Sequence, residues 1–182
     1  MPVIKPTRAD LEKAVNLTVD DLIGHNLKVL FCGINPGLYS GATGLHFARP
    51  GNRFWKVLYG SGITGRLLDP SEEAELLENG YGVTCFVSRT TARADELTKE
   101  EFINGGRLLE AKLEMYKPKM LAVLGLGAYR MAFARPKASV GLQAETFGET
   151  RIWLLPNPSG LNANYQLGDF INLFRDLKSA VD

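Results

Sequence analysis

The chain is poor in the residues that hold metals and disulfides. Its 182 residues include two cysteines and two histidines, too few for a structural zinc site or for an iron–sulfur cluster with four cysteine ligands. Both cysteines, Cys32 and Cys85, lie in apolar runs, so we expect reduced core thiols rather than a disulfide. The sequence therefore predicts no metal, no cofactor and a cytoplasmic protein.

A strong charge of one sign and a long apolar run are also absent. Lys and Arg number 21 against 20 Asp and Glu, a formal net charge of +1, so a polyanionic partner must be bound by local positive charge. We find no signal peptide and no apolar stretch long enough to span a bilayer, and we expect no membrane association. What remains is an ordinary globular composition, 45% hydrophobic and 23% charged, in a length typical of one domain.

Short apolar runs alternate with helical patterns along the chain. The runs predict strands at residues 27–32, 82–87, 120–124 and 151–155. Helices are predicted at residues 9–23, from Phe54, from a capping box at Thr98 to residue 117, at 127–134 and at 169–181. Strands separated by helices indicate a mostly parallel sheet covered on both faces. We expect one three-layer α/β domain at residues 27–182, after a polar lead-in with a helix at residues 1–26.

Polar and turn-forming residues follow every predicted strand. The four segments read "GINPG", "SRTTARADE", "GLGAYR" and "PNPSGLNAN". In parallel sheets ligands bind beyond the carboxyl ends of the strands, so these segments should meet on one rim. The segment "GLYSGATGLHFARPG" is too long for a simple connector, and long ordered loops are usually functional. The sequence therefore predicts a ligand site there, although each Asn-Pro segment alone would be explained as a tight turn.

Two other chemistries fit less well. Gly125 and Gly127 stand between a strand and a helix, but position 130 is Arg where a dinucleotide fingerprint needs a third glycine. We expect them to be close-packing glycines. Ser159 does not lie in a GxSxG turn, and the two histidines belong to other segments, which argues against a hydrolase triad. His46 is expected to pack or to make a hydrogen bond.

Four motifs together resemble a known family. "GINPG", "FARPGNRFWK", "GVTCFVSRTTARADELTKEEFINGGRLL" and "LPNPSGL", in this order and spacing, are similar to the mismatch-specific uracil-DNA glycosylases. These are the bacterial counterparts of the thymine-DNA glycosylases within the uracil-DNA glycosylase superfamily. The resemblance implies a monomeric, metal-free, monofunctional enzyme of base-excision repair. Such an enzyme flips uracil or a related damaged pyrimidine out of mismatched double-stranded DNA, hydrolyses its N-glycosidic bond and leaves an abasic site.

The resemblance also implies a base pocket. Asn35 matches the residue that positions the attacking water, and Phe47 matches the aromatic that stacks on the flipped base. The pocket is completed by Gly33, Ile34, Gly37 and Asn157, and backbone N–H groups near Ile34 and Asn35 are candidate donors to the base carbonyl. Gly37 leaves the wall beside the base C5 atom open, which predicts tolerance for ethenocytosine and mismatched thymine.

A second group of residues is implied in contact with the DNA. Leu161 corresponds to the wedge that fills the gap left by the flipped nucleotide. Ser159 is a candidate phosphate contact, and Gly160 and Asn162 are candidates for bonding the widowed guanine. Ala163 departs from the family pattern, which has Arg at that place.

Asp95 stands where close bacterial relatives have an uncharged Asn. A carboxylate on this rim could accept a proton from water or stabilise the sugar cation, which the amide of Asn35 cannot do. Asp95 is equally explained as a solvated loop charge or as a helix-start acid before Thr98. Both interpretations stay open.

DNA binding requires local cations, because the net charge is close to zero. The candidates flank the first two loops: Arg49, Arg53, Lys56, Arg89, Arg93 and Lys99. They could equally be a scattered solvated surface. The alternative to an enzyme is a non-catalytic nucleic-acid- or nucleotide-binding module with the same α/β fold.

Overall fold

A five-stranded sheet forms the centre of the protein. The computed structural model describes residues 4–182. The strands are β1 (Val29–Gly33), β2 (Tyr81–Cys85), β3 (Met120–Leu124), β4 (Gly141–Phe147) and β5 (Thr150–Leu155). Their order is β2-β1-β3-β5-β4; the first four in this order are parallel and β4 is antiparallel to β5. The carboxyl ends of β1, β2, β3 and β5 therefore share one edge.

Helices cover both faces of the sheet. They are α1 (Arg8–Lys13), α2 (Leu38–Thr43), α3 (Phe54–Gly60), α4 (Ala74–Glu78), α5 (Lys99–Tyr116), α6 (Leu126–Phe133) and α7 (Leu167–Val181). Helices α3, α4 and α7 bury their apolar residues on one face, and α5 and α6 bury theirs on the other. The predicted three-layer α/β domain with a mostly parallel sheet is confirmed. Within residues 4–182 no helix has the length and apolarity to cross a membrane.

The central strands explain why the sequence shows apolar runs rather than alternation. Every residue of β1 and β3 is buried, because successive side chains face the two helix layers in turn. Phe31 points into the α3, α4 and α7 layer, whereas Leu30 and Cys32 point into the α5 and α6 layer. A strand buried on both faces has no solvent side for polar residues.

The amino-terminal helix is shorter than predicted. The structure has α1 at Arg8–Lys13 only, not a helix over residues 9–23. Asn16 has a positive φ of 60°, and Leu22 pairs with Val83 of the edge strand β2 through backbone hydrogen bonds of 2.9 and 2.7 Å. The chain leaves the helix because its backbone groups bond to the sheet and its loops.

Strand β4 was not predicted from the sequence pattern, and neither were the short helices α2 and α4. Its burial alternates, but with the polarity reversed: Leu142 faces solvent, whereas Gln143 and Glu145 are half-buried. Glu145 accepts a hydrogen bond from the Tyr129 hydroxyl at 2.7 Å and pairs with Arg135 at 3.4 Å. The inward carboxylate is thus satisfied by α6 and the segment that follows it, which an apolar periodicity cannot indicate.

Candidate active site

The amide of Asn35 is fixed at the carboxyl end of β1. Its Nδ2 donates to the Arg89 carbonyl at 3.0 Å and to Thr91 Oγ1 at 2.8 Å. Because a carbonyl can only accept a hydrogen bond, the side-chain nitrogen of Asn35 must point at the loop that follows β2, which carries Arg89 and Thr91. Among residues 4–182, neither Asn35 Oδ1 nor the Asn35 backbone N–H has an intramolecular hydrogen-bond partner. The half-buried side chain therefore presents an oriented acceptor.

The residues around Asn35 differ in how closely they pack. At Gly33 a Cβ would lie 3.4 Å from Cys85 Sγ and 3.7 Å from Phe47 Cζ. Ile34 packs against Gly125, where a Cβ would come within 3.2 Å of Ile34 Cγ1 and where φ is 149°. At Gly37 a Cβ would meet nothing within 4 Å. The loop is thus closely packed at Gly33 and open at Gly37.

Phe47 adopts a backbone conformation that aromatic residues rarely take. Its φ is 50°, in the left-handed region that costs about 1–3 kcal/mol outside glycine. The ring stacks on Phe54 with centroids 4.0 Å apart and an interplanar angle of 28°, and its edge lies beside Gly33. The strained backbone and the buried Phe54 together hold the ring at the end of β1.

Asp95 lies on the rim of the site and is exposed. It belongs to the short 3₁₀ turn Ala94–Glu96, its side chain is 68% accessible, and its Oδ1 pairs with Arg93 Nε at 3.2 Å. Asp95 does not cap α5, because the carboxylate in that capping box is Glu101. The capping role at the start of α5 thus belongs to Glu101, and the roles that remain for Asp95 are those of a solvated charge and a proton acceptor.

The segment after β5 forms a folded loop at residues 156–165, called the Leu161 loop. Asn157 Oδ1 accepts from Ser159 N at 3.0 Å, and the Asn157 carbonyl accepts from Asn162 Nδ2 at 3.1 Å. These two bonds engage the side-chain oxygen and the backbone carbonyl of Asn157, so its side-chain nitrogen remains as a hydrogen-bond donor towards the cleft. Leu161 is 72% exposed at the tip.

Arg53 holds the Leu161 loop from below. Its guanidinium donates to the carbonyls of Ser159 (2.5 Å), Asn162 (2.9 Å) and Tyr165 (2.8 Å), and it lies 4.5 Å from the centroid of the Phe170 ring. The loop also touches the segment before α3, because a Cβ at Gly160 would lie 2.7 Å from the Gly51 carbonyl oxygen. Arg53 is thus a structural residue, and the expectation that it is a surface cation for phosphate is wrong.

A cleft of about 570 Å³ joins the loops at the carboxyl edge. Ile34, Asp95, Asn157 and Asn162 line it, together with the first turn of α6. A Cβ at Gly127 in that turn would meet nothing within 4 Å, so this glycine borders open space and is not the packing residue that the sequence suggested. Gly125 does pack closely, against Ile34.

Of the predicted pocket residues, Ile34 and Asn157 line this cleft. Asn35 and Phe47 lie at the end of β1 and are not part of the cleft lining. Gly33 touches Phe47, Ile34 touches Gly125, and Gly125 N donates to the Leu155 carbonyl at 2.9 Å, two residues before Asn157. Sequence reasoning missed Thr91, and it misassigned Arg53 and Arg89. Arg89 forms a two-bond ion pair with Glu101 at 2.5 and 3.1 Å instead of facing solvent freely. These supporting roles depend on contacts over long sequence separations.

The remaining titratable candidates are a histidine with a hydrogen-bond partner and two free cysteines. His46 is buried and its Nδ1 lies 3.2 Å from Glu73 Oε2, as its expected hydrogen-bonding role requires. Cys32 and Cys85 are free, and burial raises the pKa of the Cys85 thiol to about 12. Within residues 4–182 no cluster of three or more His, Cys, Asp or Glu could hold a metal ion.

The fold and the cleft define a three-layer α/β protein with a ligand site at the carboxyl edge of its sheet. The family model for the Uracil DNA glycosylase superfamily matches residues 21–178. The chain therefore belongs to the uracil DNA glycosylase superfamily. The fold is also similar to the solution NMR structure of "a putative Uracil DNA glycosylase from Methanosarcina acetivorans". The TM-score is 0.60 at 17% identity, over 90% of this chain and 99% of that one.

Proposed function

We propose that the protein is a monofunctional DNA glycosylase that excises uracil and related damaged pyrimidines from mismatched double-stranded DNA. The observation that carries the proposal is the orientation of Asn35. Its nitrogen is bonded on both sides by the second loop, and its oxygen is left to hold a water. A fixed acceptor of this kind orients a nucleophile, which is the main contribution that an amide can make to hydrolysis.

The departing base needs a stacking surface and hydrogen-bond donors. Phe47, backed by Phe54, offers a ring face at the end of β1. The Asn157 side-chain nitrogen and the Asn35 backbone N–H are the donors for the carbonyl oxygens of the base anion. Donors fixed where negative charge develops stabilise the transition state.

Contact with DNA falls to the exposed part of the rim. Leu161 fills the gap in the duplex. The Ser159 hydroxyl, and the N–H groups of the first turn of α6 that line the cleft, donate hydrogen bonds to a neighbouring phosphate. The polar groups of Asn162 are engaged within the Leu161 loop and by Arg53. The backbone of Gly160 is therefore the better candidate for bonding the widowed guanine, and mismatch preference rests on it.

The proposal is tested by incubating the protein with a labelled G·U duplex, followed by hot alkali. Strand breaks at the uracil identify a glycosylase, whereas a non-catalytic binding module leaves the strand intact. Asn35→Ala should remove most of the cleavage, and Asn104→Ala, an exposed amide on α5, serves as its control. Because the wall at Gly37 is open, duplexes with ethenocytosine or mismatched thymine should also be cut. Cleavage of uracil alone would contradict that substrate range.

We propose that Asp95 accepts the proton of the attacking water. It lines the same cleft as Ile34 and Asn157, and general-base help is worth about 10²–10⁴ in rate. Asp95→Ala should therefore reduce the single-turnover rate of uracil release by about 10² or more, and by more than Asn35→Ala does. The matched control is Asp20→Ala, an exposed carboxylate of the lead-in. A rate for Asp95→Ala near that of the wild type would restrict Asp95 to its ion pair with Arg93.

A further inference from the structure

Thr90 lies in the loop after β2 and joins that loop to the amino-terminal part of the chain. It is fully buried and lies between Arg89 and Thr91, the two residues that hold the Asn35 amide. Hydrogen bonds link it to residues 14–17, called the 14–17 segment. Asn16 N donates to Thr90 O (3.0 Å) and Thr90 N donates to Leu17 O (2.8 Å). Leu17 N donates to Thr90 Oγ1 (2.9 Å), which itself donates to the Ala14 carbonyl.

The 14–17 segment has a backbone shaped for this contact. Asn16 has a φ of 60°. In this conformation its N–H and the N–H of Leu17 both donate to Thr90. The Asn16 side-chain oxygen accepts a hydrogen bond from Arg89 Nη1 at 3.2 Å. On the other side α2 closes the space, since a Cβ at Gly41 would lie 2.6 Å from Thr90 Cγ2. Thr90 is thus held from two directions.

We infer that the 14–17 segment positions Asn35 for catalysis and that it acts through Thr90. The inference rests on the proposed function of Asn35. The segment precedes residues 21–178, which the family model matches, whereas Thr90 and Asn35 lie within them. A shift of Thr90 moves the Arg89 carbonyl and Thr91 Oγ1 together, and with them the amide that orients the water. Misplacement of an attacking group by about 1 Å can cost about 10² in rate.

The test compares one substitution at two places. Asn16→Val forces a β-branched residue into a positive φ, and Asn26→Val does the same at a φ of 62°, at an exposed position outside the 14–17 segment. Asn16→Val should lower the single-turnover rate of uracil release by about tenfold and change the dissociation constant for the G·U duplex by less than about twofold. Asn26→Val should keep the wild-type rate. Asn16→Gly, which accepts the conformation, should restore most of it.

A double-mutant cycle separates positioning from general damage. In an Asn35→Ala background, Asn16→Val should cause no further loss of rate, because the group that it displaces is gone. An additive loss would overturn the inference. If Asn16→Val does not fold, Thr90→Val and Thr90→Ser form a second pair of variants, because only serine keeps the hydroxyl bonds to Ala14 and Leu17. In the Asn35→Ala background, Thr90→Val should likewise cause no further loss of rate.

Amide hydrogen exchange gives a readout that does not depend on activity. The side-chain NH₂ signal of Asn35 is assigned by its loss in Asn35→Ala, and its protons should exchange faster in Asn16→Val than in Asn16→Gly or the wild type. Equal exchange in all three proteins would overturn the inference. Absence of uracil release by the wild type would instead overturn the proposed function, and the exchange comparison would still show whether the segment holds Asn35.

Discussion

Arg53 illustrates how one side chain can set the shape of a whole loop. Its planar guanidinium reaches carbonyls spread over the Leu161 loop from Pro158 to Tyr165, while its face lies on the Phe170 ring. Lysine would keep the charge but would lose the fork geometry and the stacking. The orientation of Leu161, the proposed wedge, therefore depends on an arginine whose guanidinium is bonded within the protein.

Arg53→Lys should loosen the Leu161 loop. Losing several hydrogen bonds to carbonyls should lower the free energy of unfolding by about 2 kcal/mol and the single-turnover rate by about tenfold. Denaturant unfolding and a rate measurement on a G·U duplex check the two effects. Arg107→Lys, an exposed arginine on α5, is the control. A rate unchanged in the presence of lower stability would show that the loop keeps its shape without the clamp.

Leu161→Ala should separate DNA contact from stability. The side chain is 72% exposed, so its removal should change the free energy of unfolding by less than about 0.5 kcal/mol. If it is buried in the duplex, its loss should weaken base flipping by about tenfold or more, since burial of a leucine is worth about 1.5–3 kcal/mol. Fluorescence of a 2-aminopurine beside the uracil reports the flipping. Leu108→Ala, 63% exposed on α5, is the matched control, and an equal effect there would exclude a wedge.

The candidate pocket residues could be proposed from the sequence, and the residues that hold them in place could not. Asn35, Phe47 and Asn157 belong to short motifs that depend on local residue types. Thr91 and Arg53 act through bonds to residues 56 to 112 positions away in the chain, and no local pattern encodes such a partner. In particular, nothing local in the sequence distinguishes Arg53, which is bonded internally, from Arg49, which is exposed.

At the scale of elements, the start of α5 fixes the loop that carries Asn35's partners. Thr98 and Glu101 form a reciprocal capping box, and the same Glu101 carboxylate accepts two hydrogen bonds from Arg89. Arg89 also provides the carbonyl that holds the Asn35 amide. The cap of α5 and the loop after β2 therefore share the Glu101 carboxylate. The capping motif predicted the bond to the helix start but not the bonds to Arg89.

The stability that Glu101 provides should depend on pH. Hydrogen bonds from Arg89 and from the Thr98 backbone lower the pKa of Glu101 from 4.5 to about 2. Because the folded-state pKa is depressed, the contribution is complete above pH 4.5 and is lost as the pH falls through about 2. The difference in melting temperature between the wild type and Glu101→Gln should shrink over that range. Glu100→Gln, its exposed neighbour, is the control, and a pH-independent difference would contradict the assignment.

At the scale of the whole molecule, the fold followed from composition and pattern except at its margins. The fully buried strands were predicted because burial on both faces leaves a continuous apolar run, and the helices α3, α5, α6 and α7 were predicted from their own patterns. The margins were not predicted. The lead-in forms backbone bonds to β2 and Thr90 instead of a longer helix, and β4 turns Glu145 inward to Tyr129 and Arg135. Tertiary partners outweigh local propensity at such positions.

DNA affinity should depend only moderately on salt. Arg53 and Arg89 are engaged internally, which leaves Arg49, Lys56, Arg93 and Lys99 as exposed cations near the site. Each phosphate contact contributes a slope of about −0.9 to the logarithm of affinity against the logarithm of salt concentration, so three or four contacts give about −3. Fluorescence anisotropy with a labelled duplex measures it. A slope steeper than about −6 would mean that Arg53 and Arg89 also reach phosphates.

The conformation of Phe47 has a consequence for which molecules the pocket can favour. Its ring is already stacked on Phe54 at an interplanar angle of 28° and stands on a left-handed backbone, so we expect it to keep this orientation when a base enters. An aromatic ring held in a fixed orientation stacks better on a planar ligand than on a puckered one. Dihydrouracil, whose puckered saturated ring lacks an aromatic face, should therefore be a poorer substrate than uracil even though it presents the same two carbonyls.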